Sequence, residues 1–367
     1  MKFENNFAEL LKQKLEEALK QRGKVNIVIA GKTGVGKSTL VNAVFQGNLA
    51  ETGDGRPVTK ATREIKKDGI PLSIFDTRGL EVSEYKNTAQ DLEKLIQDKK
   101  KSDDPNQHIH IAWVCVMEDS RRVEDAETKL VEMLDKYIPV VGVITKSVSD
   151  NGFRQTVQEL LPQTRNVVRV LAKETVFDGG YTMPAMGLDN LVELTMALVP
   201  ETQKDAFAAA QKVSLNHKMQ RAHAVVGTAV LSAGGAGAAP IPFSDALAII
   251  PIQISMLAGI SAVWGLPTST AFLGTLVSGG ITGSAGTLIG RATVGALLKL
   301  IPGIGSTAGG AISATVASTL TLAFGKAYIT ALYVLTKDDP DRIPTAEEIR
   351  DEFMRQLKSR KKEPGAD

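Results

Sequence analysis

The chain has 367 residues, with 43 Lys and Arg against 41 Asp and Glu and a formal net charge of +2. It is too long for one small domain and too evenly charged to hold nucleic acid by bulk charge. Its single cysteine, Cys115, excludes an intrachain disulfide framework and points to a reducing compartment, the cytoplasmic side of a cell. Charge is unevenly distributed: between Ala224 and Leu335 the charged residues are Asp245, Arg291, Lys299 and Lys326 alone. A polar front, an apolar back and a charged end follow one another.

The first residues, "MKFENNFAELLKQKLEEALKQR", are charged throughout and lack the apolar core of a signal peptide. Phe7, Leu10, Leu11, Leu15, Ala18 and Leu19 recur at helical spacing, which predicts an amphipathic helix within residues 1–23 that packs on its own domain. "KVNIVIA" (Lys24 to Ala30) is β-branched and short, a buried strand. It runs straight into "GKTGVGKST", and "STLVNAVF" then has helical apolar spacing. Strand, glycine loop and helix in that order form a phosphate-binding loop. Gly31, Gly34 and Gly36 permit backbone conformations that a side chain would block. The loop from Gly31 through Lys32, Thr33, Gly34, Val35, Gly36, Lys37 and Ser38 to Thr39 turns its N–H groups and the helix N-terminus toward phosphate anions. Lys37 reaches the β- and γ-phosphates, and Ser38 is the first Mg²⁺ ligand.

The polar loop "GDGRPVTKATRE" suits a mobile switch. Thr59 is the expected hydroxyl ligand for Mg²⁺ in the triphosphate state, with Thr62 the alternative. "PLSIFDTRGL" reads as a strand ending in a D-x-x-G: Asp76 holds Mg²⁺ through water, and the Gly79 N–H approaches the γ-phosphate. "HIHIAWVCVM" is a core strand whose His108 and His110 share one face, read as satisfied polar residues rather than a metal pair. Arg121 and Arg122, in "DSRRVEDAE", either start a helix or reach a second protomer's nucleotide. "IPVVGVITKSVSD" and "NVVRVLAKE" are two further strands, ending in Thr145-Lys146 and Ala172-Lys173. The glycine-rich "FDGGYTMPAMG" lies beside them without an assigned role.

These five motifs, in this order from about Lys24 to Pro200, resemble the translation-factor-class GTPases, the Era-like group most of all. The resemblance implies a three-layer α/β P-loop GTPase fold with a mostly parallel sheet, GTP and GDP as ligands, and catalysis through Lys37, Thr59 and Gly79. In that family the fourth motif, [NT]-K-x-D, reads guanine: the lysine stacks on the base and the aspartate accepts from its edge. Thr145 and Lys146 match, but Val148 stands at the aspartate position and the nearest carboxylate is Asp150. Either the loop bulges to bring Asp150 in, or guanine selectivity is weakened, which leaves ATP as a lesser possibility. The fifth motif survives as the Ala172 N–H for the guanine oxygen, flanked by Lys173. Leu80 replaces the water-orienting glutamine of Ras-like members, and Gly34 stands where some relatives carry a cation-supporting asparagine. Slow intrinsic hydrolysis is therefore expected, raised by dimerisation or an activating protein, with Arg78 a minor candidate for charge stabilisation.

From Glu201 the chain is helix-prone and free of breakers, which predicts a helical connector. Beyond it, Ser244 and Asp245 form an N-cap, and Gly279/Gly283, Gly286/Gly290 and Gly305/Gly309 set glycine on one helix face for close packing. Leu, Ile and Val contribute about −0.3 to −0.6 kcal/mol each to insertion, whereas a central lysine such as Lys326 costs about 2.5–3.5 kcal/mol. Insertion is marginal, so a helical bundle that docks on or dips into a bilayer is expected narrowly ahead of a soluble one. "PIPFSDALAIIPIQISML" and "LLKLIPGIGSTAGGAISATVASTLT" resemble the hydrophobic helical domain of unknown function 697. Thr345 and Glu348 form a capping box for a last helix.

The expected organisation is an N-terminal helix (1–23), a GTPase domain (24–200), a helical connector (201–222), an apolar Gly/Ala-rich all-α domain (223–336) and a charged tail with a short helix (337–367). The expected function is a Mg²⁺-dependent GTP switch on the cytoplasmic side, coupled to a membrane-associated helical domain. The alternatives are a soluble regulatory GTPase whose apolar half binds a protein, and a self-assembling remodeller of membranes.

Overall fold

Strand β1 (Val25–Gly31) is buried at every position, as are β3 (Leu72–Asp76) and β5 (Val140–Thr145). Runs of this kind belong to a parallel sheet covered on both faces. The computed structural model describes residues 2–50, 63–77, 85–236, 245–267, 269–277 and 314–360. Its six-stranded sheet has the order β2-β3-β1-β4-β5-β6, with β2 at Arg63–Lys66, β4 at Ile111–Met117 and β6 at Asn166–Arg169. Only β2 runs antiparallel, against β3; the other neighbours are parallel.

Helices α2 (Lys37–Val44), α3 (Tyr85–Lys100), α4 (Asp125–Asp135), α5 (Phe153–Leu160) and α6 (Leu188–Leu198) accompany the sheet. Leu92, Ile96, Leu130, Leu134, Phe153 and Val157 bury one helical layer against Val28, Val114 and Ile144 of the strands. Elsewhere in this unit Phe45 stacks on Trp113 at 5.7 Å and meets Phe207 edge-on at 6.0 Å, while the Trp113 indole N–H donates to Thr195 Oγ1 at 3.1 Å. A buried tryptophan thus keeps both its apolar contact and its hydrogen bond. A two-stranded hairpin, β7 (Thr175–Val176) with β8 (Thr182–Met183), follows β6.

The chain divides into two compact units, residues 23–214 and residues 1–22 together with 215–367. The helical connector expected from Glu201 is helical in three segments, interrupted at residues 211–214. A 3-10 turn at Glu201–Gln203 leads into α7 (Lys204–Ala210), and Gln211 then forms an antiparallel bridge with Phe45. Gln46 N–H donates to Ala210 O at 3.1 Å, and Lys212 N–H donates to Val44 O at 2.9 Å. Backbone groups at the end of α2 therefore take the hydrogen bonds that would have continued the helix. Intrinsic propensity is too weak a preference to resist that competition.

In the other unit, helix α1 (Lys2–Arg22) buries Leu11, Leu15 and Ala18 in one core with α8 (Leu215–Ala236), α9 (Asp245–Trp264), α10 (Thr270–Val277), α11 (Ala314–Thr336) and α12 (Ala346–Arg360). The two ends of the chain thus share one core. A Cβ at Gly325 would come within 2.5 Å of Val226 Cγ2, so α11 approaches α8 as closely as only glycine allows. Phe353 of α12 meets Phe324 and Tyr328 edge-on, at 4.8 and 5.3 Å. The charged end of the chain is thereby anchored through α12. The capping box forms: Thr345 N–H donates to Glu348 Oε2 at 2.9 Å, and Glu348 N–H to Thr345 Oγ1 at 3.2 Å. Ser244 and the glycine pairs at 279/283, 286/290 and 305/309 lie outside the described residues.

Candidate nucleotide-binding site

The C-terminal ends of β1, β3, β4, β5 and β6 lie along one edge of the sheet. The strand order reverses beside β1, whose neighbours are β3 and β4. In open α/β sheets the crevice outside such a reversal is where ligands bind. Gly31 ends β1 with φ at 147°, and a Cβ there would lie 2.5 Å from Cys115 O. Glycine is required at that position by contact as well as by conformation. Gly34 and Gly36 follow with φ at 77° and 102°, and Gly36 is the N-cap of α2. The first intrahelical bond runs from Leu40 N–H to Gly36 O at 2.9 Å. The N–H groups of Lys37, Ser38 and Thr39 precede it and have no partner within the helix.

Lys37 Nζ donates to Gly31 O at 2.8 Å and Lys32 O at 3.2 Å, so the ammonium lies across the loop. Lys32 pairs with Glu124. Thr33 and Gly34 are exposed and Val35 is buried. Thr145 Oγ1, at the end of β5, donates to Val35 O at 2.6 Å and ties the loop to the fourth-motif strand. Lys146 is exposed with φ at 52°, and its Cε lies 4.0 Å from where a Gly36 Cβ would stand.

Asp76 ends β3 opposite Ile29 of β1 and is 6% exposed. Among the described residues neither its Oδ1 nor the neighbouring Thr77 Oγ1 has a hydrogen-bond partner. Burial raises the Asp76 carboxyl above its usual range, although Lys37 and Arg63 pull it back in part. A buried carboxylate oxygen without a donor, close enough to the loop for Lys37 to act on its charge, fits a hard oxygen-seeking cation. Thr59, Thr62, Arg78, Gly79 and Leu80 lie outside the described residues.

At the base end, Asp150 Oδ1 accepts from Arg154 N–H at 2.8 Å and lies 3.7 Å from Arg169 Nε. Ala172 is half-buried and Lys173 exposed, just beyond Leu171, which exchanges two 3.0 Å backbone bonds with Met186. Arg121 donates to the carbonyls of Ser149 and Asp150, and its guanidinium lies 5.3 Å from the Phe153 ring centre. The helix-start alternative for that segment is met by a capping box between Glu124 and Glu127. His110 Nδ1 accepts from Asn26 N–H at 2.9 Å, and His108 Nε2 lies 2.7 Å from Ser102 O; among the described residues no three His, Cys, Asp or Glu side chains cluster as metal ligands.

One residue escaped the sequence reading. Glu118, the first residue after β4, is 1% exposed. Its Oε2 accepts from the N–H groups of Val148 and Ser149, each at 2.6 Å, and its Oε1 from Arg169 at 2.9 and 3.1 Å. Burial alone would raise this carboxyl, but the four donors together hold it below its usual range. Its position at the C-terminal end of a buried strand was a signal available in the sequence.

Residues 23–214 thus have the P-loop GTPase fold, a mostly parallel sheet with its glycine loop at the strand reversal. Residues 26–146 match the family model of the 50S ribosome-binding GTPases. Septin-9 of Mus musculus is 24% identical over 163 residues, covering 38% of this chain and 28% of the septin. The tRNA modification GTPase MnmE of Treponema denticola is 25% identical over 204 residues, 51% of this chain and 41% of its own. MnmE of Cupriavidus metallidurans is 40% identical over 80 residues, 20% of this chain and 16% of its own. The chain therefore spans well under half the length of these relatives. Among solved structures, the septin GTPase domain from Chlamydomonas reinhardtii has 15% identity and a TM-score of 0.34, covering 50% of this chain and 93% of that one.

Proposed function

We propose that the chain is a Mg²⁺-dependent guanine-nucleotide switch with slow intrinsic hydrolysis, coupled to a helical domain that associates with membrane. The observation that carries the nucleotide part is the convergence at one sheet edge of the glycine loop, Lys37, the unpartnered Asp76 oxygen and the Thr145–Lys146 strand end. In this reading the N–H groups of Gly31 to Thr39 bind the phosphates and Lys37 moves from its carbonyls onto the β- and γ-oxygens. Ser38 and Asp76, with Thr59, would hold the cation, which when bound offsets charge between the β- and γ-phosphates. Lys146 stacks on the base and Ala172 N–H meets its C6 oxygen, beside Lys173. Gly79 and Thr59 sense the γ-phosphate, and its loss releases their loops.

Leu80 supports the slow rate, since an alkyl side chain cannot orient water. Single-turnover hydrolysis by dilute protein near 1 per second would overturn that part, because unstimulated switches of this class run orders of magnitude slower. Lys37→Ala is the test of the site itself: unchanged affinity for every purine triphosphate would refute it.

The membrane part rests on the uncharged stretch from Ala246 to Gly290 and on one described helix, Thr315–Thr336, long and apolar enough to cross a bilayer. A second reading, a soluble regulatory GTPase with a protein-binding helical domain, is favoured by a different observation: half of that helical window is buried within the protein. Flotation with liposomes against gel filtration without detergent separates the two.

A further inference from the structure

The nucleotide site raises a question of specificity. A guanine-reading loop needs an acceptor for the base N1–H and 2-amino group, and position 148 carries a valine.

The loop after β5 is fixed at successive residues. Ser147 N–H donates to Val170 O at 3.1 Å, and Ser147 Oγ to Ile144 O at 3.0 Å. Val148 and Ser149 N–H groups are both spent on Glu118. The Ser149 and Asp150 carbonyls are taken by Arg121. Asp150 O also accepts from Phe153 N–H at 2.8 Å, and its carboxylate accepts from Arg154 N–H at 2.8 Å. Asn151 and Gly152 then turn the chain with φ at 42° and 78°. A bulge that brought Asp150 to the base would have to break these bonds together. The carboxylate is already favourably placed, because the first turn of a helix offers unpaired N–H groups and a positive dipole end.

We propose that Asp150 holds the first turn of α5 through the Arg154 N–H and does not read the base, that Glu118 is the carboxylate that positions the loop, and that the site accepts 6-oxopurine nucleotides without recognising the 2-amino group. This rests on the nucleotide reading above and specifies its substrate class. Two contacts remain for the base. Lys146 stacks on a face that is indifferent to the substituent at C2. The Ala172 N–H, held in place by the Leu171–Met186 bridge, suits an oxygen at C6 and opposes an amino group there. GTP and ITP share that oxygen; ATP lacks it. A site that hydrogen-bonds a substrate group discriminates strongly against the analogue lacking it, and a site without that partner cannot.

The test is displacement of a ribose-labelled fluorescent GDP from the full chain by GTP, ITP and ATP, in wild type and in Asp150→Asn. The asparagine side-chain oxygen can still accept from the Arg154 N–H, so this variant removes the charge and keeps the fold. The expected result is a GTP preference over ITP of less than about tenfold, unchanged by Asp150→Asn, with ATP weaker than both. Asp150→Ala is expected to lower the melting temperature through the lost bond to the Arg154 N–H while leaving the GTP-to-ITP ratio unaltered. A GTP preference of about tenfold or more overturns the proposal, and its disappearance in Asp150→Asn would identify Asp150 as the reader after all. If no purine triphosphate displaces the probe and Lys37→Ala changes nothing, the nucleotide reading itself has failed, an outcome distinct from a wrong base preference.

Discussion

Asp76→Asn should make the nucleotide-free protein more stable and its Mg²⁺-dependent nucleotide binding weaker. The carboxyl is 6% exposed, one oxygen has no hydrogen-bond partner among the described residues, and burial raises its proton affinity despite Lys37 and Arg63. An unsatisfied buried polar group costs about 1–3 kcal/mol, and more when charged, while the two cations return part of it. Removing the charge should therefore add about 1–2 kcal/mol. For a unit the size of residues 23–214 that raises the melting temperature by roughly 2–8 °C. The pH dependence has a definite sign. A carboxyl whose folded affinity for protons exceeds its unfolded one destabilises the fold while ionised, and that cost is relieved as pH falls toward the unfolded value near 3.8. The gap between variant and wild type should be full at neutral pH and close as pH drops through the raised value. Mg²⁺ and GDP at about a hundredfold their dissociation constant stabilise a binding protein by about 2.7 kcal/mol. The variant should lose the Mg²⁺-dependent share of that gain. The assay is thermal unfolding with EDTA, with Mg²⁺, and with Mg²⁺ and GDP. A variant no more stable than wild type in EDTA, or one that keeps the whole Mg²⁺-dependent shift, would refute the assignment.

Gly31→Ala places a Cβ 2.5 Å from Cys115 O at a φ of 147°, so it should cost roughly 2–4 kcal/mol and abolish nucleotide-dependent stabilisation, both read by thermal unfolding. Glu118→Gln should cost roughly 2–4 kcal/mol by removing the buried charge that accepts from Val148, Ser149 and Arg169 and leaving Arg169 only the longer 3.7 Å pairing with Asp150. Because Glu118 is held below its usual value of 4.5, its contribution is complete above that pH and lost below it, so the wild-type-to-variant difference in urea unfolding should shrink under acid. Lys218 on α8 is buried, donates to Trp264 O at 2.9 Å, and is pulled down by burial from 10.5 to about 7. Between those values the unfolded chain holds the extra proton, so stability of the helical unit should rise with pH by up to about 1.4 kcal/mol per unit. Lys218→Met should flatten that slope and raise stability at pH 7, as followed by circular dichroism.

Legibility in the sequence followed the range of the interactions. The glycine loop between β1 and α2 could be read because its pattern is local: glycines, lysine and serine fall between Gly31 and Ser38, between a strand and a helix whose patterns are visible in their own residues. The same holds for the Thr345–Glu348 capping box, where both partners lie in a single turn. The interruption in the helical connector was not legible because Gln46 and Val44, far back in the chain, supply the bonds that end α7 at Ala210. Helix α1 read correctly as amphipathic, but its periodicity could not reveal that its partners are helices at the other end of the chain. Asp150 illustrates the limit most sharply. Its distance from Lys146 left both a bulge and a loss of selectivity open, and only the folded positions of Glu118, Arg121 and Arg169 show what fixes the loop.

The two buried carboxylates at the sheet edge, Asp76 and Glu118, are shifted in opposite directions, and their hydrogen-bonding differs in the same sense. Both end parallel strands, both lie near a nucleotide loop, and both are almost fully buried. Glu118 is satisfied by backbone N–H groups and a guanidinium, so its charge is fully compensated by the protein and it has little left to offer a ligand. Asp76 is left with an oxygen that no described residue compensates. On the proposed reading, a fold that leaves such a cost in one carboxylate and removes it in another uses the first as a site and the second as scaffold. Exchanging the two chemistries would cost function at one end and stability at the other. Asp76→Asn should therefore produce a firmer protein that binds less, and Glu118→Gln a looser one whose base loop no longer holds its place.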